Sequence, residues 1–241
     1  MDLGLRGRVA VIGASSKGLG RATADVMATE GASVVVNGRS ADAVQGAVDA
    51  IRAAGGEAIG VTGDMSEPAT PEALVSRAIE TFGRLDIVVG NNGGPAPVRV
   101  LDATDDAMSA AFEANTLGSI RLARAALPHL RANGWGRICM ITSSAVRQPA
   151  GTLSTSAMAR SALWSWSKMA AVELASEGIT VNLICPGGHA TERMLQVGGA
   201  DRRLGDAGDF GKAVAFLCSQ PAAFVSGIAF GIDGGAVSGM L

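Results

Sequence analysis

The chain has 241 residues, of which 48% are hydrophobic, 17% are charged and 33 are glycine. This length and composition suit one compact domain over residues 1–241, with a large buried core and no need for a second domain. The formal net charge of -2 and the absence of long lysine and arginine runs argue against nucleic acid as a partner.

The three cysteines, Cys139, Cys185 and Cys218, are widely spaced, and each lies in an apolar run. This pattern favours buried free thiols over a metal site, so we expect no bound metal and a reducing compartment. The first residues show no charged-then-apolar signal pattern, and no apolar stretch approaches the roughly 18 residues of a membrane span. The sequence therefore predicts a cytoplasmic protein without a membrane partner.

Short runs typical of strands alternate with longer alanine-rich segments that have helical spacing. The predicted strands are Arg8 to Gly13, Ser33 to Asn37, Ala58 to Val61, Leu85 to Val89, Arg137 to Thr142, Thr180 to Ile184 and Ala229 to Ile232. Several of these runs are continuously apolar, as in strands covered by helices on both faces. The pattern predicts an α/β fold with one doubly wound parallel sheet of about seven strands, whose ligand crevice lies beyond the carboxyl ends of the strands.

A glycine-rich turn follows the first predicted strand. It reads Gly13-Ala14-Ser15-Ser16-Lys17-Gly18-Leu19-Gly20 and precedes a helix expected to start near Lys17. Such a turn lets backbone amides and a helix N-terminus meet a pyrophosphate. A glycine cluster can also be an ordinary strand-to-helix turn, but its place at the first strand-helix junction favours a dinucleotide site.

This turn resembles the Thr-Gly-x-x-x-Gly-x-Gly fingerprint of the short-chain dehydrogenase/reductases, with Ile12 in place of threonine. The resemblance continues in order over essentially the whole chain. Its further motifs are Asp64 with Met65, the loop from Asn91 to Gly94, Asn115, Pro186-Gly187 with Thr191, and Asp233-Gly234-Gly235. The resemblance implies a single Rossmann-type domain that uses NAD(P) to interconvert a carbonyl and an alcohol.

The asparagine loop can be aligned in two ways. Counting without a gap places Gly90-Asn91-Asn92-Gly93 under the family's Asn-Asn-Ala-Gly motif, whereas matching letters shifts the motif one residue later. Asn91 and Gly93 fall inside both alignments, so both are expected to contact the cofactor.

The choice between the two nicotinamide cofactors is argued from charge. NADP carries a 2′-phosphate where NAD enzymes place an acidic residue on the ribose. In this chain Gly38 stands at the position of that acid, Arg39 follows it, and Lys17 adds a second cation from the turn. The two cations can also be solvated helix-end charges. With the acid missing they favour NADP(H), without excluding NAD(H).

The strand from Arg137 to Ser144 resembles the family strand that delivers a catalytic serine, whose hydroxyl holds the substrate oxygen. An ungapped match selects Ser143 and leaves Ser144 as the alternative. Either serine can instead simply cap the end of the strand.

The chain contains no tyrosine, although the family carries a catalytic Tyr-x-x-x-Lys pair on the next helix. Counting back from the Glu173 to Asn182 match places Ser156 under the tyrosine and Arg160 under the lysine. Lys168, in Trp164-Ser165-Trp166-Ser167-Lys168, also gives an x-x-x-Lys pattern. Placing it under the family's lysine shifts the alignment by eight residues, which is about 12 Å along a helix. The Ser-x-x-x-Arg pair resembles a branch of β-ketoacyl carrier-protein reductase-like sequences with an imperfect tetrad.

The substitution changes the expected chemistry. A serine hydroxyl is a much weaker acid than a phenol, and an arginine cannot readily donate and recover a proton. We expect Arg160 to hold the nicotinamide ribose and face a developing alkoxide with positive charge, while Ser156 relays a water proton with support from Asn115. His189 is a second candidate acid, although a solvated loop histidine is the simpler interpretation. His129 is expected to be structural.

These matches give the expected cofactor site and partners. The cofactor residues are Gly13, Ser15, Ser16, Lys17, Gly18, Leu19, Gly20, Arg39, Asp64, Met65, Asn91, Gly93, Arg160, Pro186, Gly187 and Thr191. The expected substrate is a small carbonyl or alcohol, with a 3-oxoacyl or other apolar compound as one option. The segment from Thr191 to Arg203 is shorter than the family lid, and its apolar residues Met194, Leu195 and Val197 suggest an open apolar entrance.

The family resemblance also implies an assembly and a competing role. We expect a homotetramer, or a homodimer, formed through the long helices and the C-terminal strand, with Trp164, Trp166 and the tail from Phe230 to Leu241 at the contacts. The competing hypothesis, raised by the missing tyrosine, is a protein that binds NADP(H) with little redox activity and serves as a sensor or partner subunit.

Overall fold

Seven parallel strands form one sheet in the order β3-β2-β1-β4-β5-β6-β7 in the computed structural model, which describes residues 1–149, 151–192, 194 and 203–239. The strands are β1 Val9–Ile12, β2 Ser33–Gly38, β3 Glu57–Thr62, β4 Ile87–Gly90, β5 Gly136–Ile141, β6 Ile179–Pro186 and β7 Ala229–Ile232. Each coincides with a predicted strand to within a few residues. The predicted doubly wound parallel sheet is therefore confirmed.

Helices connect these strands and cover both faces of the sheet. Within the described ranges they are α1 Gly18–Thr29, α2 Ala41–Ala53, α3 Ala69–Phe82, α4 Asp105–Phe112, α5 Gly118–Ala132, α6 Ser154–Leu174 and α7 Ala207–Leu217. Helices α1, α2 and α7 pack on one face, and α3, α5 and α6 pack on the other. A π-helical turn, Glu113–Leu117, joins α4 to α5.

The central strands are largely apolar because each face of the sheet buries its own core. Successive side chains of a strand point to opposite faces. In β1, Ile12 belongs to the core under α1, α2 and α7, whereas Val11 belongs to the core under α3, α5 and α6. All four β1 residues are buried. The three cysteines are free and buried, as expected.

The strand order places one crevice where the chain changes direction. From β1 the chain moves outward to β2 and β3, and it then returns to β4 on the other side of β1. The loops after β1 and β4 therefore leave the sheet in opposite directions and open a space beyond its carboxyl edge. Among the described residues, no helix is long and apolar enough to cross a membrane.

Candidate active site

A cleft of about 950 Å³ lies beyond the carboxyl ends of the strands. Its walls come from the loops after β1, β2, β3, β4, β5 and β6, together with α4 and the start of α6. The predicted site residues that line it are Ser16, Lys17, Gly18, Leu19, Arg39, Asp64, Met65, Asn91, Gly93, Asn115, Arg160, Pro186 and Thr191. The fold thus brings these distant segments to one cleft.

The glycine-rich turn is held from behind by two buried polar residues. Ser15 is fully buried, and its hydroxyl donates to the Ile12 carbonyl at 2.7 Å and accepts from the Asn37 amide at 2.9 Å. The side-chain oxygen of Asn37 accepts from the Ala14 amide at 2.9 Å. Ser15 was expected to contact the cofactor, but it is not among the cleft-lining residues. Its hydroxyl fixes the turn against β2.

Asn91 supports the same turn from the β4 side. Its amide nitrogen donates to the carbonyls of Gly13 and Ala14, both at 3.2 Å. A β-carbon added at Gly13 would lie 2.6 Å from the Asn91 main-chain carbonyl oxygen. One added at Gly20 would lie 2.7 Å from the Asn91 side-chain nitrogen, so only glycine fits at either position. Gly13 and Gly20 therefore serve by close packing and do not line the cleft.

At the nucleotide end of the cleft, Gly38 has little room for a side chain, and the next residue, Arg39, carries a positive charge. A β-carbon added at Gly38 lies 2.8 Å from the Ser16 β-carbon, so a larger residue there displaces Ser16. Arg39 is exposed and lies 3.8 Å from the Asp64 carboxylate. The pKa of Asp64 is lowered mainly by the Ser66 backbone amide, with smaller contributions from the Ser66 hydroxyl and Arg39, against the opposing effect of burial.

Near the opposite end of the cleft, Ser143, Ser156 and Arg160 lie on adjoining elements. Arg160 lines the cleft, whereas Ser143 and Ser156, which were expected to act there, are not among the lining residues. Ser143 follows the end of β5, and its hydroxyl oxygen accepts from the Ala145 amide at 3.2 Å. Ser156 and Arg160 lie one turn apart on α6, and the Ser156 hydroxyl oxygen accepts from Arg160 Nε at 3.2 Å. Both hydroxyl oxygens act as acceptors within the protein, so each retains its O–H group as a hydrogen-bond donor.

Arg160 also joins the ends of two strands. The side chain is buried, and Nη1 donates to the Ile141 carbonyl at 2.8 Å and to the Thr142 carbonyl at 3.3 Å. Nη2 donates to the Asn92 carbonyl, which follows β4, at 3.3 Å. The guanidinium therefore ties α6 to the carboxyl ends of β4 and β5 and brings a positive charge to the floor of the cleft.

Asn115 lies in the π-helical turn between α4 and α5 and lines the cleft. The residue is 1% exposed, and among the described residues neither its side-chain nitrogen nor its side-chain oxygen has a hydrogen-bond partner. A buried carboxamide with two unmet hydrogen bonds is costly to leave alone. This group is suited to a polar ligand or an ordered water in the cleft.

Comparison with known proteins identifies the family. The model of a family described as Enoyl-(Acyl carrier protein) reductase matches residues 13–237. The 7alpha-hydroxysteroid dehydrogenase of Escherichia coli K12 is 33% identical, and the alignment covers 98% of this chain and 96% of that protein. The chain belongs to the short-chain dehydrogenase/reductase family.

Solved structures of this family resemble the chain over its full length. L-Sorbose reductase from Gluconobacter frateurii, in complex with NADPH and L-sorbose, is 29% identical with a TM-score of 0.95 and covers 100% of both chains. A 7 alpha-hydroxysteroid dehydrogenase complexed with NADH and 7-oxo glycochenodeoxycholic acid is 32% identical with a TM-score of 0.93, covering 100% of this chain and 98% of the other. The predicted Rossmann-type fold of the short-chain dehydrogenase/reductases is therefore confirmed.

Two residues of this short-chain dehydrogenase/reductase site were missed by sequence reasoning. Asn92 lines the cleft, its carbonyl accepts from Arg160, and its side-chain amide donates to the Ala114 carbonyl of the π-helical turn. Thr155 is buried and lines the cleft beside Arg160. The doubled asparagine in the β4 loop was the available signal for Asn92. No sequence signal marked Thr155.

Two expected site residues, His189 and Gly187, are not among the residues that line the cleft, and neither are Lys168 and His129, for which no role in the site was predicted. His189 is 4% exposed, its Nδ1 lies 3.2 Å from the Gly187 carbonyl, and its ring packs edge-on against Phe210 at 5.2 Å. Gly187 packs against Asp233, because a β-carbon added at Gly187 would lie 2.8 Å from the Asp233 α-carbon. Lys168 donates to the Gly227 carbonyl at 3.0 Å on the far side of α6. His129 lies on α5 outside the cleft lining, where a structural role was predicted.

The loop after β6 is described only in part. Thr191 lines the cleft, and its hydroxyl accepts from the Met194 amide at 3.4 Å. Leu195 and Val197, which were expected to form an apolar entrance with Met194, lie outside the described residues.

Proposed function

We propose that this short-chain dehydrogenase/reductase is an NADP(H)-dependent oxidoreductase that interconverts a carbonyl and an alcohol. The observation that carries the proposal is one continuous cleft, with a dinucleotide-type turn at one end and Arg160, which donates to the Ser156 hydroxyl oxygen, at the other. NADPH, when bound, supplies the hydride. The protein's own task is to hold the substrate oxygen and stabilise the charge that develops on it.

Preference for the 2′-phosphate is supported by three neighbouring residues. Ser16 occupies the space beside Gly38, so an aspartate or glutamate at position 38 is sterically disfavoured. Arg39 lies at the same edge of the cleft with its guanidinium exposed to an incoming ligand. Arginine and hydroxyl groups suit a phosphate, whereas an acid here would repel it. The relative bound to NADPH agrees with this preference, although another relative is bound to NADH.

The catalytic end supports electrostatic stabilisation in place of proton donation by a phenol. We assign Ser143 to orient the substrate oxygen through its free O–H group, since its oxygen already accepts from the Ala145 amide. Ser156 supplies a second O–H group, and Arg160 supplies a fixed positive charge. We assign Asn115 to hold a water in this arrangement, because its buried carboxamide has no partner among the described residues.

The test is oxidation of NADPH across a panel of ketones and β-ketoacyl thioesters, with NADH measured in parallel. We expect turnover with NADPH that is largely lost in Ser143→Ala and retained in Ser165→Ala, which changes an exposed serine of α6 outside the cleft. Tight binding of NADPH without turnover on any substrate contradicts the enzymatic proposal.

The rival function is a protein that binds NADP(H) without redox chemistry. Two observations favour it: the chain has no tyrosine, and the Arg160 guanidinium donates to three main-chain carbonyls, as a structural residue does. A sensor of this type should bind NADPH tightly and change its affinity for a protein partner. Turnover that disappears in Ser143→Ala rules out the rival.

We also propose a homotetramer, or a homodimer, as the assembled form. Large apolar side chains remain exposed on α6 and near the C-terminal strand; among them Met169 is 57% exposed, Val172 is 73% exposed and Phe224 is fully exposed. Exposed apolar groups of this size are typical of subunit contacts. Light scattering tests the assembly, and a monomer at all concentrations contradicts it.

A further inference from the structure

One wall of the cleft is built from small, uncharged side chains. Four alanines of α4 and the π-helical turn line the cleft, and we call them the alanine wall: Ala107, Ala110, Ala111 and Ala114. Their spacing of three and four residues places the methyl groups on one helical face. The loop after β4 lines the same cleft with Gly93, Gly94, Pro95, Ala96 and Val98. This part of the cleft therefore offers methyl groups and main chain in place of large side chains.

Hydrogen bonds fasten the loop after β4 to the elements around it. The Val98 amide donates to the Thr152 carbonyl at 2.8 Å, and the Ser154 hydroxyl donates to the Val98 carbonyl at 2.8 Å. These two bonds join the loop to the start of α6. At the other end of the loop, the Asn92 side-chain amide donates to the Ala114 carbonyl. The protein's own contacts therefore set the shape of this part of the cleft.

A buried polar side chain marks the inner end of the alanine wall. Asn115 lies four residues after Ala111, lines the same cleft and is 1% exposed. Among the described residues neither of its side-chain polar atoms has a hydrogen-bond partner, which points to a ligand or a water at this place. Arg160 also lines the cleft, and it donates to the Asn92 carbonyl at 3.3 Å. Polar groups thus lie at one end of a surface that is otherwise apolar.

The distribution of charge excludes several classes of ligand from the alanine wall. Among the described residues that line the cleft, the ionisable side chains are Lys17, Arg39, Asp64, Arg160 and Glu192. None of them lies on α4, on the π-helical turn or on the loop after β4. A carboxylate or phosphate on the body of a substrate would lose water beside the alanine wall without gaining a cation. An uncharged, apolar body is instead stabilised when it leaves water there.

The small side chains also favour one shape of ligand. Alanine, glycine and proline side chains have no rotatable groups that could fold around a bent chain, so they leave smooth surfaces. A rigid ring system fits between smooth surfaces and loses little conformational freedom when it binds, whereas a flexible chain of the same size loses more. The alanine wall therefore favours fused rings over an extended acyl chain.

We propose that the alanine wall binds the ring system of the substrate, and that the substrate is an uncharged ketone or alcohol with at least two fused rings. The inference rests on the proposed carbonyl–alcohol function and names its substrate class. The substrate oxygen points to Arg160 and to the water assigned to Asn115, and Ala107 and Ala110 set the width available to the rings. The redox step is unchanged: the carbonyl carbon gains a hydride from NADPH and the oxygen gains a proton from water, which gives the alcohol, NADP⁺ and hydroxide.

The first test compares two ketones of equal carbon number and then narrows the site. 2-Decalone and 2-decanone both have ten carbons, but only 2-decalone has fused rings. The kcat/KM for 2-decalone, measured by NADPH oxidation, should be higher by about tenfold or more, because its rings are already rigid. In Ala110→Leu this value should fall by about tenfold or more, since a branched side chain then occupies the space of the rings. Ser109→Leu, which changes an exposed serine of α4 outside the cleft lining, should leave it unchanged. Equal values for the two ketones in the parent protein overturn the proposal.

The second test changes only the charge of the ring system. 6-Carboxy-2-tetralone and its methyl ester share the same two rings and the same ketone. We expect kcat/KM to be about tenfold or more higher for the ester, because the carboxylate loses water without gaining a cation at the alanine wall. A carboxylate that reacts as fast as its ester overturns the uncharged substrate class.

The third test reads the ring site without turnover. Prodan is an uncharged naphthyl ketone whose emission moves to the blue in apolar surroundings, so its binding to the protein with NADP⁺ can be titrated by fluorescence. We expect 2-decalone to displace it, and its Kd to rise by about tenfold in Ala110→Leu and in Ala107→Leu, with no change in Ser109→Leu. Both positions face the cleft and are at least partly exposed, so a leucine there does not enter the core. A prodan Kd that neither variant changes overturns the proposal.

The proposed function and the ring site fail in different ways. Reduction of no ketone, while prodan still binds and is displaced from the alanine wall, refutes the proposed function and supports the ring site. Reduction of ketones without a preference for 2-decalone leaves the proposed function standing and overturns the ring site. The Kd for NADPH, measured by its own fluorescence, should be the same in Ala110→Leu and Ser109→Leu. A weaker Kd for NADPH in Ala110→Leu alone assigns the alanine wall to the nucleotide and also overturns the ring site.

Discussion

The two ends of the cleft are built with different degrees of support from the protein. At the nucleotide end, the turn after β1 has its polar groups satisfied from behind by Ser15, Asn37 and Asn91. At the other end, neither side-chain polar atom of Asn115 has a partner in the part of the chain that the structure describes, and the hydroxyl oxygens of Ser143 and Ser156 act as acceptors. The turn at the first end is held in place by the protein itself, whereas the Asn115 carboxamide at the second end is suited to a ligand or a water.

This difference bears on the proposed replacement of the family's tyrosine by Ser156. The nucleotide end depends on backbone contacts and close packing around the glycine-rich turn. Ser143, Ser156 and Arg160 make none of the hydrogen bonds described for that turn. At the catalytic end, Arg160 keeps α6 fastened to the ends of β4 and β5 through main-chain carbonyls. Under this proposal the geometry of the cleft is kept, and we expect the replacement to affect proton transfer.

The largest expected effect comes from removing the Ser143 hydroxyl. Loss of one oxyanion-hole donor typically lowers kcat by about 10²- to 10³-fold, or about 2.7–4 kcal/mol. Ser143→Ala should show this loss in steady-state assays, while the Kd for NADPH stays unchanged because the nucleotide end is supported separately. Ser144→Ala is the matched control from the same turn. A larger loss in Ser144→Ala than in Ser143→Ala transfers the role to Ser144.

A smaller effect, on stability and cofactor affinity together, is expected from Asn91→Ala. This change leaves the Gly13 and Ala14 carbonyls without their side-chain donor. Unmet buried polar groups cost about 1–3 kcal/mol, so the free energy of unfolding in urea should fall by about that amount. NADPH binding should weaken in parallel. Gln45→Ala, an exposed change on α2, is the control, and an Asn91→Ala protein as stable as this control refutes the support assigned to Asn91.

The sequence was sufficient where local pattern and packing agree. The apolar runs located all seven strands, and the glycine turn with Asp64 and Asn91 located the nucleotide end of the cleft. Contacts between segments that are distant in the sequence could not be predicted from local patterns. His189 is buried because Phe210 of α7 packs on it, and Asn92 matters because it bonds the π-helical turn near Asn115. Neither partner is indicated by spacing or composition near the residue itself.

Arg39→Ala should affect only the distinction between the two cofactors. Arg39 is exposed in the cleft wall, so its removal leaves the core and the turn intact. A hydrogen bond to a charged group contributes about 1.5–3 kcal/mol, and solvent screening places this one near the lower limit, about tenfold in Kd for NADPH. NADH affinity should change less than twofold by the same fluorescence titration. Equal losses for both cofactors contradict a 2′-phosphate role, and Arg77→Ala on α3 is the control.

The smallest effect is expected from the ionisation of Asp64. It concerns how the free energy of unfolding depends on pH at the nucleotide end of the cleft. Because the Ser66 amide chiefly lowers the pKa of Asp64 below its ordinary 3.8, the folded state favours the charged carboxylate. This stabilisation is complete above pH 3.8 and is lost as pH falls through the lower folded value. The stability difference between the parent and Asp64→Asn should therefore be constant near neutral pH and narrow only in acid, as measured by urea unfolding. Ser66→Ala keeps the Ser66 backbone amide, so it should preserve most of the stabilisation of the Asp64 carboxylate. Among the described residues, the lining of the catalytic end has no carboxyl group that corresponds to Asp64, so a pH-dependent rate near neutrality would indicate a further acid there.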